Sequence, residues 1–308
     1  MSNASDDEDH PVLNAFKEIE KPSVNNEDIA EFTDEDDFNR LGVSLLIEAG
    51  CYVCIAASTL GEHEKWDRDS AAIGGNMVRL YKMISGLLDQ TTQRRRDTSF
   101  IFARLVFETV VTIRYLIKHF SPDLVASYVK SSFKHEAKLR RKMEQNIAAR
   151  GGVVLPIEDR MMKSIDRAFT RAGLDLSDLK GFRERNWGGR NLYEKADDLG
   201  MGDAYLGAFS GPSQAIHGAW GDIYSHCLQT DGDQLFSPNI EWGYPRPQLI
   251  TASANLSLFA VDDYLGFVSG PDLQEPVQEH LSHLANRLNA FDQAHERYLA
   301  PKKWPRIR

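Results

Sequence analysis

The sequence predicts an all-α protein: a single multi-helix bundle preceded by a disordered acidic N-terminal arm. Three observations predict it. From Asp36 onward, nearly every segment repeats its apolar residues at helical spacing. Strands would need period-two alternation bounded by turn signals, and only Gly152–Pro156 hints at one. Acids, finally, crowd the start of the chain: residues 1–37 hold thirteen acids and two lysines, a formal −11. The 308 residues together carry −9, which leaves +2 for residues 38–308.

The arm, residues 1–35, has few aromatics and blocks of like charge, the composition of a solvated tail. A sharper reading makes it a mimic of nucleic acid shielding a basic groove, but such runs more often solubilise. The near-neutral body permits nucleic-acid binding without arguing for it. Residues 36–300 are expected to form the helical domain, and 301–308 a short basic tail.

The first helix is expected over Asp37–Thr59, with acids in its first turn where the macrodipole favours them. Residues Leu41–Leu60 carry a single charge, Glu48, and are long enough to span a membrane. A mid-segment Glu, at about 2.5–3.5 kcal/mol on insertion scales, and acidic flanks favour a buried central helix instead. Cys51 and Cys54 sit in this run as small apolar residues do. Three cysteines make no disulfide framework, and no basic run leads into an apolar one at the N-terminus. A reducing, cytoplasmic setting without a membrane is the expectation.

A second helix is expected from Trp66 to Gln90, with Gly74 and Gly75 weakening it unless a neighbour packs closely there. Arg94–Arg96 read as an exposed connection. The third helix, Asp97–Phe120, is apolar over so broad a face that it belongs at the bundle centre. Arg104, Glu108 and Tyr115 interrupt that face. Arg104 and Glu108 stand at i and i+4, so they can pair; either one buried alone would be costly. Ser121-Pro122-Asp123 opens a helix expected to reach Arg150, basic along its later part. Further helices are expected over Ile157–Arg171, Leu192–Leu199, Gln248–Ser269 and Leu273–Tyr298. Asp231–Pro247 reads as a long ordered loop whose Trp242 and Tyr244 are placed to cover a pocket.

Chemistry concentrates in residues 203–224. Ser213, His217, Trp220 and Tyr224 recur every three or four residues, so a continuous helix would align them in one stripe. Gly218 and Gly221 beside that stripe would admit another element close to the backbone. Ser213 and His217 suggest a hydroxyl and a base, but no carboxylate is assigned to orient the histidine and no nucleophile elbow is present. Metal and nucleotide motifs are absent: no paired Glu-x-x-His, no second Cys-x-x-Cys, no glycine-rich phosphate loop. No metal and no cofactor are expected. Arg114 and His119 fit the Arg-x4–6-His spacing of helical HEPN ribonucleases, a spacing that nine histidines produce by chance.

The ordered pattern Arg104-x3-Glu108, Tyr115, Trp187-x-Gly189, Tyr193-Glu194-Lys195, Tyr205, and Ser210–Ser213 leading to His217 resembles a bacterial all-helical family known only as a domain of unknown function. The resemblance covers about residues 95–230. It implies an all-α fold and a shared polar cluster, and no reaction.

The expected site joins Arg104, Glu108, Tyr115, Trp187, Tyr205, Ser213 and His217 in one pocket, with His217, Arg104 and Glu108 as candidate catalytic groups. Three functions suit it. One is a regulatory or defence-related module binding a small anionic or phosphate-containing ligand. The second is a HEPN-like, metal-independent endoribonuclease acting on RNA. The third is a structural or interaction protein whose polar cluster serves packing alone.

Overall fold

Three long helices running the same way, with two more running against them, enclose the core. The computed structural model describes residues 10–61, 64–230 and 235–302, and about three-quarters of the chain is helical. Two short helices, α1 (Pro11–Glu18) and α2 (Asn26–Ala30), lead into α3 (Glu35–Ser58), α4 (Arg68–Thr92) and α5 (Arg96–Lys118). Next come α6 (Pro122–Ser132), α7 (Lys134–Ala149) and α8 (Pro156–Arg171), then the short α9 (Leu192–Asp198), α10 (Gly202–Tyr205), α11 (Gly211–Ile216) and α12 (Trp220–His226). An antiparallel ribbon joins β1 (Leu228–Thr230) to β2 (Phe236–Pro238), with Gln229 opposite Ser237. Helices α13 (Pro247–Ser269) and α14 (Pro271–Leu299) follow. The ribbon falls where the sequence reading expected helix end and loop, because three-residue strands are too short to show alternation.

Helices α3 and α5 each pack against both α4 and α13. Gly42 faces Ile250 and Gly61 faces Val268, so α3 and α13 are parallel. Arg114 reaches Asp263, and Phe120 meets Phe267, so α5 runs with them. The first turns of α3, α5 and α13 therefore meet at one end of the bundle, where Arg94 Nη2 bonds Asp36 Oδ2 at 3.0 Å. Gly74 is where Trp66 crosses α4: a Cβ there would stand 2.5 Å from the indole ring. That close approach is the reason a glycine is kept inside the helix despite its cost of about 1 kcal/mol.

Helix α3 is the one helix among the described residues long and apolar enough to cross a membrane, and half of its most apolar window is buried inside the bundle. Its mid-helix charge, Glu48, is 1% exposed. Arg287 of α14 meets it with two hydrogen bonds, Nη1 to Oε2 at 2.7 Å and Nη2 to Oε1 at 2.5 Å. The Tyr52 hydroxyl donates a third at 2.8 Å. The buried carboxylate thus has the hydrogen-bonding partners its burial requires. Cys51 and Cys54 are half-buried free thiols, less enclosed than the sequence reading expected.

Of the expected acidic arm, residues 1–9 lie outside the described residues, and the rest is not a plain solvated tail. Helix α1 lays Leu13 and Phe16 onto the core, and Phe16 stacks on Tyr52 with ring centroids 4.7 Å apart. The Pro22 carbonyl accepts a 2.9 Å bond from Arg287 Nη1. Glu18, Glu20, Glu27 and Glu31 remain exposed. Apolar residues spaced among the acids thus fold this stretch back while its charges stay in water.

The helix expected over 121–150 divides at Phe133. That residue caps α6 and stacks edge-on against Phe169, 4.7 Å away. The break swings α7 onto α8, where Ala137, Met143, Ile165, Phe169 and Leu179 form a satellite core.

The stretch 203–224 departs furthest from expectation. A π-turn, Leu206–Ser210, links α10 to α11, and the chain breaks at His217-Gly218-Ala219 before α12. Gly218 has φ +61°, a left-handed conformation that lets the chain turn at little cost. Ser213 and His217 therefore share no helical stripe with Trp220 and Tyr224. Nor do the glycines admit a packed element: a Cβ at Gly221 would meet nothing within 4 Å.

Candidate functional site

Helix α5 projects Arg104 and Glu108 from one face, and α11, packed against α5, sets His217 beside them at its C-terminal end. Arg104 Nη1 stands 3.5 Å from His217 Nε2. On its other edge the guanidinium bonds Glu108 Oε1 through Nε at 3.3 Å. Its carbon lies 4.6 Å from the centroid of the Phe209 ring, a cation–π contact that fixes the plane. Phe209 is held in turn by Tyr205, 4.9 Å between centroids, and by Phe107. The Arg104 and Glu108 side chains are 21% and 29% exposed, and His217 is exposed. The pair is thus on an open surface, not in an enclosed pocket. Arg104 can offer a planar fork to an anion, with the His217 ring beside it as donor or acceptor according to its tautomer.

Ser213 does not join this chemistry. Its hydroxyl donates to the Phe209 carbonyl at 2.7 Å, one turn back along its own segment. Back-bonding of this kind is the usual fate of a helical serine. Tyr205 belongs to the group as the ring behind Phe209.

Tyr115 and Trp187 form a second group. Eleven residues separate Tyr115 from Arg104, roughly 16 Å at the helical rise. Trp187 sits edge-on to Tyr115 at 5.6 Å and to Tyr128 at 5.2 Å. Lys195 of α9 is 2% exposed and places Nζ 3.3 Å from the centre of the Trp187 ring. Burial lowers the Lys195 amine to about 8. These contacts bind the 187–195 stretch onto α5 and α6. The seven expected site residues consequently do not share one pocket: Arg104, Glu108, Tyr205 and His217 gather, Ser213 turns away, and Tyr115 with Trp187 stands apart.

Two arrangements escaped the sequence. Asp198 accepts from His119 Nε2 and Arg190 Nη1, each at 2.7 Å, and pairs with Lys118 at 3.1 Å. Hydrogen bonds from His119, Arg190 and Lys118 hold its carboxyl well below the usual range. The Arg114–His119 spacing is accordingly divided: Arg114 Nε bonds Asp263 at 2.7 Å while His119 turns to Asp198.

The second arrangement is at the junction read as exposed. Arg96 is 6% exposed, bonding Asp97 at 2.9 Å and Asp222 at 3.3 Å. Its backbone N–H donates to the Gly243 carbonyl at 3.0 Å. Arg94 and Arg95 stack over Tyr244 and Trp242, so those aromatics grip the junction. Beside it lies a cavity of about 830 Å³, lined by Arg96, Asp222, Arg246 and the small residues of 204–215 but by none of the seven expected site residues. Among the described residues no group of three or more His, Cys, Asp or Glu is placed to hold a metal.

No functionally curated protein and no solved structure matches the chain. A family model does, over residues 70–235, spanning the end of the central bundle from α4 through the satellite hairpin to the broken 203–226 segment and β1. That span holds Arg104, Glu108 and His217 together with the α11 segment that sets the histidine beside the pair. The chain belongs to the family of unknown function DUF5677.

Proposed function

We propose that this protein is a regulatory binding module, and that Arg104 and His217 take the phosphate or carboxylate of a small anionic ligand. The observation that carries this reading is the 3.5 Å approach of Arg104 Nη1 to His217 Nε2, across 113 residues of sequence, on an open surface. Glu108 and Phe209 hold the guanidinium in one plane, so little side-chain entropy is left to lose on binding. A neutral imidazole accepts from Arg104; protonated, it becomes a second donor to the anion.

A second reading, metal-independent cleavage of RNA with His217 as acid–base and Arg104 steadying the phosphate, gains from the same openness. A surface pair can engage a phosphate within a long strand, and an imidazole beside a guanidinium suits proton transfer. Thermal shift of the purified chain with pyrophosphate and with nucleoside triphosphates tests the binding reading. A rise in Tm that Arg104→Ala and His217→Ala each remove supports it. No shift with any of these anions rejects it, and strand scission lost in both variants transfers the pair to the enzyme reading. Unfolding by both substitutions would assign the cluster to packing.

A further inference from the structure

We propose that the cavity at the shared N-terminal end of α3, α5 and α13 is a second binding site, for an amphipathic organic anion. It lies apart from Arg104 and His217. Its volume, about 830 Å³, is within the range of small-molecule sites.

The cavity exists because of a pattern in the sequence. Ala204, Gly207, Ala208, Gly211 and Ala215 recur at three- and four-residue spacing through α10, the π-turn and α11, and all line it. The opposite face of that segment carries Tyr205 and Phe209, which pack toward Phe107 and Arg104. Large rings on one side and no side-chain bulk on the other leave space against Phe100, Leu249 and Leu256. These walls are apolar and suit a hydrocarbon or ring body.

The rim is charged. Arg246 is exposed there and enters no ion pair among the described residues. Arg96 also lines the space, its charge shared with Asp97 and Asp222. Neither α5 nor α13 begins with a side-chain cap, so first-turn N–H groups of both add positive partial charge. Glu35, the remaining acid on the wall, sits in the first turn of α3, whose Asp34 cap is complete. Hydrogen-bonding capacity at this end is unmet: Arg96 Nε and both ring nitrogens of His295 have no partner among the described residues. The body of the ligand then lies along the alanine–glycine wall and its carboxylate or phosphate meets Arg246.

The test uses the full chain with 8-anilinonaphthalene-1-sulfonate as fluorescent probe and decanoate, 1-decanol and inorganic phosphate as competitors. Decanoate is expected to displace the probe, and phosphate alone is not. Arg246→Ala should weaken decanoate about tenfold or more, the effect of one charge-assisted hydrogen bond, while leaving decanol unchanged. Gly207→Leu should abolish both, since a Cβ there meets nothing within 4 Å and the side chain would fill the cavity. Ala252→Phe, from the facing helix, gives the same readout if Gly207→Leu fails to fold. The pyrophosphate shift that depends on Arg104 should survive all three substitutions. The proposal is overturned if the probe does not bind, if decanoate binds no better than decanol and ignores Arg246→Ala, or if a folded cavity-filling variant keeps both.

Discussion

Arg287 Nη1 and Glu48 Oε2 lie 2.7 Å apart, joining the last helix to the middle of the first long one across 239 residues. The Glu48 side chain is fully buried and that of Arg287 is 11% exposed. Such a pair adds little net stability over an apolar pair of the same volume, yet breaking it strands a charge. Arg287→Ala is expected to cost about 3–5 kcal/mol in urea unfolding, and Glu48→Gln with Arg287→Met to recover most of it. A single-variant loss below about 1 kcal/mol would show that water reaches Glu48 and that the pair is not sealed. Because Arg287 also holds the Pro22 carbonyl, Arg287→Ala should free the 10–30 segment to proteolysis before the domain unfolds.

Lys195 gives a pH signature. Its amine is lowered to about 8, with burial the largest cause, against an ordinary value near 10.5. Between those values the unfolded chain holds a proton that the folded chain has lost, so stability rises with pH there. The gain from pH 8 to pH 10 is about 2 kcal/mol, and Lys195→Met should flatten it. Tyr264 works in the opposite sense: burial raises its hydroxyl to about 12, so its stabilisation falls away above pH 10. Chemical denaturation at pH 8, 9 and 10 falls within the lysine window. A flat profile in the parent chain would contradict the burial of an unpaired ammonium against Trp187.

Asp198 sets the acid limb. Its carboxyl is held below the ordinary range by His119, Arg190 and Lys118, so it contributes stability above the unfolded pKa near 3.9. That contribution is lost as pH falls through the folded value. Asp198→Asn should lower stability at pH 7 and reduce the acid sensitivity of unfolding below pH 4. Equal acid sensitivity in parent and variant would leave the three contacts without energetic weight.

The helices of the core were legible because their burial is periodic: Ile73, Met77, Leu80, Ile84 and Leu87 mark one face of α4 without reference to any neighbour. What depended on partners far away in sequence was not. Arg96 looks like the last of three surface arginines until Asp222, 126 residues on, is seen beside it. Phe133 divides a helix because Phe169 awaits it. Arg104 with Glu108 was readable from spacing alone, and His217 joined them. Tyr115 and Trp187 were drawn into the same pocket because order along the chain carries no measure of distance across a bundle. The alanine–glycine stripe of 204–215 was visible in the sequence, but small residues announce close packing and a cavity equally well.

Gly218 offers the sharpest separation of shape from function, because its left-handed turn ends α11 immediately after His217, the residue that α11 sets beside Arg104. An alanine at φ +61° costs roughly 1–2 kcal/mol, and relaxing toward helix would continue α11 past His217 and redirect residues 219 onward beside the imidazole. Gly221, three residues later and inside α12, has no such constraint, and a Cβ there meets open space. Gly221→Ala should stabilise by up to about 1 kcal/mol through helix propensity. Gly218→Ala should destabilise and, by changing the chain that leaves His217, weaken the pyrophosphate-induced rise in Tm. If the rise survives in Gly218→Ala at full size, anion binding does not depend on the end of α11 after His217. If Gly221→Ala weakens it too, the effect belongs to the mobility of the segment rather than to the position of His217.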